Sequence, residues 1–338
     1  MPALAVADEL RARGASVFFI GGERAERELV PAAGYELHPI TVEGLDRRNP
    51  VRAARALARA AAATAQARRL LRDGGAGAVM GGGGYVAGPV ALAGLSLGLP
   101  VVLTEADSRL GLSNRVLAPA ARRVCLAFPL DGRDGDRYLV TGRPGPPATT
   151  GRAGAREALG IPRDGDCLLV FGGSLGSRRI NEAALEAFAA GAPAHVLHIA
   201  GARDYPALCE RRRGPHYDLR EYLPAERFGQ ALAASDLVVA RSGGSIFEVA
   251  AHGRPAILVP YPHAAGNHQA TNAAWMARAG AAVVIPDGEL DAARLGACVE
   301  ELLGDRRRLA AMAAASASLA RPDAAGVIAG ELMAACRG

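Results

Sequence analysis

The feature that most limits what this chain can fold into is a repeated alternation. Short apolar runs are followed by Ala/Arg/Leu-rich stretches of helical composition. "SVFFIG" (16–21), "ELHPITV" (36–42), "AGAVM" (76–80), "PVVLTE" (100–105) and "RRVCLAF" (122–128) are the runs of the first part. A long Ala/Arg stretch from Pro50 to Leu71 separates the second run from the third. Runs that are apolar throughout suit strands covered on both faces, and helices between them make parallel pairing the natural outcome.

The pattern breaks at "VTGRPGPPATTGRAGA" (140–155), where Pro and Gly crowd together as in a linker. It restarts with "DCLLVF" (166–171), "HVLHIAG" (195–201), "DLVVA" (236–240), "PAILVP" (255–260) and "AAVVIP" (281–286). The expected fold is α/β, with two Rossmann-like parallel-sheet domains facing across a cleft. The expected boundaries are 1–141 and 142–321, with the helix in 322–338 free to pack back on the first domain. Ligands of such sheets bind beyond the carboxyl ends of the strands.

Composition narrows the class. The 338 residues contain 39 Lys+Arg against 34 Asp+Glu, a net charge of +5. That balance suits a phosphate-bearing substrate, an anionic membrane or nucleic acid, and equally a soluble protein with an arginine-biased codon supply. The five cysteines, Cys125, Cys167, Cys209, Cys298 and Cys336, are scattered and form no CxxC pair. Reduced thiols are expected, with neither a disulfide framework nor a metal site. No signal peptide and no apolar run of about 18 residues is present.

Five loops carry the chemistry. "FGGSLGS" (171–177) leaves an apolar run and opens a helix, so its N–H groups can meet an anion, with Ser174 adding a hydroxyl. It is neither GxGxxG nor a Walker loop, and a plain strand–helix turn is the alternative. "RSGGSIFE" (241–248) has the same shape. Glu248 can take the two hydroxyls of a ribose, or cap its own helix. "GNHQATN" (266–272) offers His268, Gln269 and Asn272 to sugar hydroxyls, or is a polar loop capped by Asn267. "GGGGY" (81–85) and "TEADSRLGLSN" (104–114) bring Gly82, Gly83, Gly84, Tyr85, Glu105, Asp107 and Asn114 to one edge of the first domain. A carboxylate there can be a base, a hydroxyl ligand or an ordinary loop residue.

Together these stretches resemble the MurG-type N-acetylglucosaminyltransferases, of glycosyltransferase family 28. "GGSLGS", "RSGG…FEVAAHGRP" and "NHQATNA" resemble the donor half, and "GGGGYVAGP", "GLPVVLTEADSRLGLSNRVLA" and "RRVCLAFP" the acceptor half. The resemblance is collinear over essentially the whole chain. It implies the GT-B fold and inverting transfer of GlcNAc from UDP-GlcNAc to a lipid-linked muramyl-pentapeptide. That step builds peptidoglycan, and hence the cell wall, cell shape and division. The implied partners are UDP-GlcNAc, the lipid acceptor and an anionic membrane on its cytoplasmic side. No cofactor, protein-bound metal or nucleic acid is implied.

By motif, Ser174 would meet the diphosphate and Leu223 would face the uracil through its backbone. Gly243, Gly244, Ser245, Ile246 and Phe247 would offer N–H groups to phosphate and sugar. Glu248 would bind the ribose, and His268 and Gln269 the GlcNAc, with Asp107 also on the donor side. Gly82, Gly83, Gly84, Tyr85, Glu105 and Asn114 would serve the acceptor, and Glu105 is a weak candidate base.

The chain departs from the family in places. It reads Thr104-Glu105-Ala106-Asp107 where the family usually reads His-Glu-Gln-Asn, and Pro146 falls at the family's linker arginine. The turn between Arg241 and Glu248 is one residue shorter. These departures leave room for another lipid or small-molecule acceptor, or for a non-catalytic UDP-sugar-binding relative. "PALAVADELRARG" at the start matches the family's first helix. The expectation is therefore that a strand, a glycine loop and its histidine precede Pro2 in the natural protein, and that the 338-residue form alone is poorly stable and inactive. Arg47, Arg48, Arg52, Arg55 and Arg59 are expected either to meet anionic headgroups or to form a solvated helix face.

Overall fold

The computed structural model describes residues 2–337 other than 23–25, 44–49, 147, 150, 174, 212 and 213; the side chains of 50–53 and 265 also lie outside the description. The chain divides into two compact units, Met1–Pro146 with Arg321–Gly338, and Pro147–Ala320. The Pro/Gly-rich stretch therefore holds the division, although a helix already begins within it at Arg152.

The first unit contains α1 (Pro2–Ala12), β1 (Phe18–Gly21), α2 (Glu26–Ala32), β2 (Glu36–Pro39), α3 (Pro50–Asp73), β3 (Val79–Gly81), α4 (Gly84–Ser96), β4 (Val101–Glu105), α5 (Leu112–Leu117), β5 (Arg123–Leu126) and β6 (Tyr138–Val140). Its strands form two parallel sheets, β1-β2 and β3-β4-β5-β6. Alternation along each strand sends side chains to opposite faces. Leu103, Val124 and Leu126 thus pack under α3 and α4 with Ala63, Ala67 and Val90. Val102 and Cys125 pack on the other face.

The second unit contains α6 (Arg152–Leu159), β7 (Cys167–Phe171), α7 (Arg178–Phe188), β8 (His195–Ile199), α8 (Tyr205–Cys209), β9 (Tyr217–Arg220), α9 (Ala225–Ala234), β10 (Leu237–Ala240), α10 (Ile246–Ala251), β11 (Ala256–Leu258), α11 (His268–Arg278), β12 (Ala282–Val284), α12 (Ala292–Gly304) and α13 (Arg306–Ser318). All six strands run parallel in the order β12-β11-β10-β7-β8-β9. This is a doubly wound sheet. Its chain direction reverses between β7 and β10, the place where such sheets bind ligands. "CLLVF" is buried at every position, which explains its unbroken apolar run. The chain then returns to the first unit, where α14 (Ala324–Arg337) places Ile328 and Leu332 against Val6 and Val102.

A polar chain runs through the second core. Tyr217 O–H donates to His198 Nδ1 at 2.7 Å, and His198 Nε2–H donates to Asn181 Oδ1 at 3.0 Å. This tautomer follows because an amide oxygen can only accept. Asn181 Nδ2 then donates to Ala200 O and to Asp204. Burial pushes His198 down from 6.5 to about 3. Unfolded, the ring takes up its proton near pH 6.5; folded, it stays neutral until about 3. Below pH 6.5 the unfolded chain therefore binds more protons, and stability falls with acid by about 1.4 kcal/mol per pH unit from this group. Partial burial lowers half-buried His195 and His252 in the same direction. Urea unfolding at pH 7.5 and 5.5 should show the loss, and His198→Gln should remove most of the difference. An unchanged pH slope in that variant would contradict the assignment.

Candidate functional site

The two serine–glycine loops of the second unit leave adjacent strands at the reversal point. Phe171 and Ala240 are register partners at the ends of β7 and β10. The chain continues from them as Gly172–Ser177 and Arg241–Ser245. Both loops therefore start side by side on the carboxyl edge of the sheet.

The glycines of the first loop have different tasks. A Cβ on Gly176 would lie 2.1 Å from Ala200 O, and one on Gly172 would lie 2.3 Å from the Ser177 nitrogen. Here glycine lets the loop press against the protein's own backbone at the end of β8. Gly173 has φ +92° and open space around its Cβ position, as a ligand-facing residue requires. Ser174 lies outside the described residues. Leu175 is 79% exposed at the loop's tip. Ser177 occupies the N-cap of α7 without a side-chain capping bond.

The second loop is stapled to the start of α11. Ser242 is buried; its hydroxyl donates to Gln269 O at 2.8 Å, and its carbonyl accepts from Asn272 Nδ2 at 3.0 Å. Gln269 Oε1 accepts the Tyr261 N–H, and Gln269 Nε2 lies 3.9 Å from a Cβ position on Gly243. The amide's donor end thus lies over the Gly243–Ser245 turn. Asn272 is 2% exposed, and its Oδ1 has no hydrogen-bond partner among the described residues. Gly266 and Asn267 both adopt left-handed φ just before α11, and Asn267 makes no side-chain cap.

Gly244, Ser245, Phe247 and Glu248 are half-buried in the turn and first helical residues, while Ile246 is fully buried as part of the core. Phe247 packs its ring 5.6 Å from that of Trp275. The helix α10 is only six residues long, and its first N–H groups already donate within the turn, Ile246 N to Gly243 O and Phe247 N to Gly244 O, both at 3.3 Å, so what the turn offers an anion is the N–H groups of Gly243, Gly244 and Ser245 ahead of it. His268 is half-buried at the start of α11. Leu223 is half-buried beyond β9, two strands from β7 on the same sheet, beside exposed Tyr222.

In the first unit Gly82, Gly83 and Gly84 follow β3, and Gly83 and Gly84 have φ +86° and +75°. Tyr85 is 65% exposed, and Asp107 is exposed. Glu105 is differently placed. It is 7% exposed, and its carboxylate accepts the Asp107 N–H at 3.1 Å, the Gly111 N–H at 2.7 Å and Asn114 Nδ2 at 3.0 Å. Asn114 also donates to Thr104 O. Glu105 and Asn114 therefore organise the 106–111 loop. Glu105→Gln leaves one acceptor oxygen for donors that now use both carboxylate oxygens and turns an NH2 toward at least one N–H, at a cost of about 1–3 kcal/mol. Amide hydrogen exchange at Asp107 and Gly111 should speed up several-fold, and unchanged exchange would contradict this role.

Two family domains match the chain in succession. Residues 1–126 match the Glycosyltransferase family 28 N-terminal domain, and residues 167–328 match the Glycosyltransferase family 28 C-terminal domain. The chain belongs to glycosyltransferase family 28. A Rubrobacter xylanophilus family member is 43% identical over 98% of this chain and 99% of its own length. A Moorella thermoacetica member is 42% identical over 96% of this chain and 92% of its own. Both bear the name UDP-N-acetylglucosamine–N-acetylmuramyl-(pentapeptide) pyrophosphoryl-undecaprenol N-acetylglucosamine transferase. Among solved structures, Acinetobacter baumannii MurG superposes with a TM-score of 0.80 at 27% identity, covering 98% of this chain and 95% of that one. The fold of this family 28 chain is accordingly GT-B.

The sequence does not single out Ser242, which ties the Gly243–Ser245 turn to the start of α11. A serine between an arginine and two glycines carries no periodic signal of burial.

Proposed function

We propose that this family 28 enzyme transfers GlcNAc, with inversion, from UDP-GlcNAc to undecaprenyl-pyrophosphoryl-MurNAc-pentapeptide. The observation that carries the donor half is the pair of serine–glycine loops on register-matched strands at the reversal of a doubly wound sheet. The near-full-length likeness to enzymes bearing that name supports the reaction. The second unit is then the donor unit and the first the acceptor unit.

In this reading the diphosphate lies over Gly173, Ser174 and the N–H groups of the Gly243–Ser245 turn. Glu248 takes the ribose hydroxyls, Gln269 and His268 the sugar, and the Leu223 backbone the uracil. Backbone donors aimed at the leaving UDP stabilise its growing charge without a metal ion. Gly82, Gly83, Gly84 and Tyr85 serve the acceptor, and Asp107 the donor. Glu105 holds its loop rather than taking the acceptor's proton, because three donors already occupy its carboxylate.

Binding at the cytoplasmic membrane surface belongs to the same reading. No helix among the described residues is long and apolar enough to cross a membrane. On α3, Leu57 is 63% exposed beside Arg55 and Arg59. Both arginines pair with Glu43, which lowers the charge they offer. Arg47 and Arg48 lie outside the described residues, as does the Arg52 side chain. Each basic residue near an anionic surface contributes about 1 kcal/mol. Co-sedimentation with vesicles should therefore rise with anionic lipid and fall with salt.

Radiolabelled UDP-GlcNAc incubated with a lipid-linked muramyl-pentapeptide analogue tests the reaction. Label in the lipid product supports it. UDP-GlcNAc binding with transfer only to a different acceptor would overturn the acceptor assignment, on which the Thr104 and Asp107 departures bear.

A further inference from the structure

Arg241 follows β10 directly, yet its side chain is only 11% exposed. Instead of reaching into solvent, it runs along the carboxyl edge of the sheet. Its Nε donates to Ser177 Oγ at 2.9 Å, at the end of the first glycine loop. Its Nη1 donates to Val259 O at 3.1 Å and to Pro260 O at 3.3 Å, where the chain leaves β11. The same nitrogen forms an ion pair with Asp287 Oδ1 at 2.5 Å, in the short turn beyond β12. The guanidinium carbon also lies 5.4 Å from the centre of the Tyr261 ring. One side chain thus joins the ends of β7, β10, β11 and β12.

We propose that Arg241 is a positioning residue for the donor reaction. It holds the Gly172–Ser177 loop and the Ser242–Ser245 turn in one geometry, with Asp287 and Ser177 as its anchors. This rests on the reading of the second unit as the UDP-sugar unit. The charge pattern separates this role from direct phosphate binding. Asp287, 17% exposed, sits against the guanidinium and matches its charge, so the anion is left to the backbone N–H groups of the two loops. Arg179 holds the same turn from the other side, donating to Leu290 O and Gly288 O. A planar fork can serve several acceptors at fixed angles; a lysine ammonium on a flexible stem cannot.

The test compares wild type, Arg241→Gln, Arg241→Lys, Asp287→Asn and the Arg241→Gln/Asp287→Asn double variant. UDP binding is measured by calorimetry, with kcat, KM for UDP-GlcNAc and Tm alongside. Loop positioning predicts that Arg241→Gln, Arg241→Lys and Asp287→Asn each weaken UDP by about tenfold and raise KM more than they lower kcat. The double variant should be no more than about twofold worse than either single, because both remove one clamp. Ser177→Ala removes a single arm and should weaken UDP by roughly threefold, which keeps the test available if Arg241→Gln does not fold. Asp287→Asn binding UDP as tightly as wild type, or more tightly, overturns the proposal. So does full rescue by Arg241→Lys, or a lowered Tm with unchanged UDP affinity. A wild-type protein that binds no UDP would instead overturn the donor-unit reading on which it rests.

Discussion

Replacing Arg156 with alanine is expected to cost the folded protein about 3–5 kcal/mol, the usual penalty for removing one partner of a buried ion pair. Arg156 is 1% exposed on α6. Its Nε donates to Ala234 O, and its Nη1 donates to Pro162 O, Arg163 O and Gly165 O. Its Nη2 pairs with Asp236 Oδ2 at 2.8 Å. That same oxygen accepts from Arg152 and from the Cys167 N–H. The guanidinium therefore joins α6 to the starts of β7 and β10. Alanine would take this donor from the carbonyls of Ala234, Pro162 and Arg163, while Gly165 O and Asp236 would keep Arg152. Urea unfolding and a Tm loss of roughly 6–20 °C should report it. The cluster sits at the amino-terminal edge of the sheet, opposite the serine–glycine loops, so UDP affinity of the folded variant should be unchanged. A loss below about 1 kcal/mol would show that water replaces the missing donors.

Glu248→Ala carries the second large effect. If the carboxylate takes the two ribose hydroxyls, its loss removes charge-assisted hydrogen bonds worth about 1.5–3 kcal/mol. KM for UDP-GlcNAc should then rise roughly ten- to hundred-fold, with kcat nearly unchanged, because the ribose is held equally in ground and transition states. A sharper readout uses the 2′-deoxyribose analogue. Wild type should prefer UDP-GlcNAc strongly, and Glu248→Ala should barely distinguish the two. An unchanged KM, or preserved discrimination in the variant, would remove Glu248 from the ribose.

Much of the fold was legible because its strands are buried on both faces. "CLLVF" and "LVVA" carry apolar residues at consecutive positions, and the loops after them are rich in serine and glycine. The loops themselves were legible as types but not as tasks. The sequence offers the glycines of 171–177 either to an anion or to a plain strand–helix turn, and the structure uses Gly172 and Gly176 for close approach between protein backbones. Periodicity cannot distinguish the two uses, since both ask for the absence of a Cβ. The sequence leaves Glu105 open as a base, a hydroxyl ligand or an ordinary loop carboxylate. Its partners Asp107, Gly111 and Asn114 are near in sequence, yet they converge on it only once the loop has closed. Arg241 was hidden for a related reason, because Ser177, Val259 and Asp287 are brought to it only by the strand order.

The central claim is that the donor sits at the carboxyl edge of the six-stranded sheet, at the reversal between β7 and β10. Hydrogen–deuterium exchange of the full chain with and without UDP-GlcNAc tests it most directly. Bound UDP-GlcNAc should slow exchange in 172–177, 242–248 and 266–272, with no change at the amino-terminal edge around Arg156 and Asp236. Binding of UDP-GlcNAc that leaves those three segments unprotected and protects another part of the chain would contradict it.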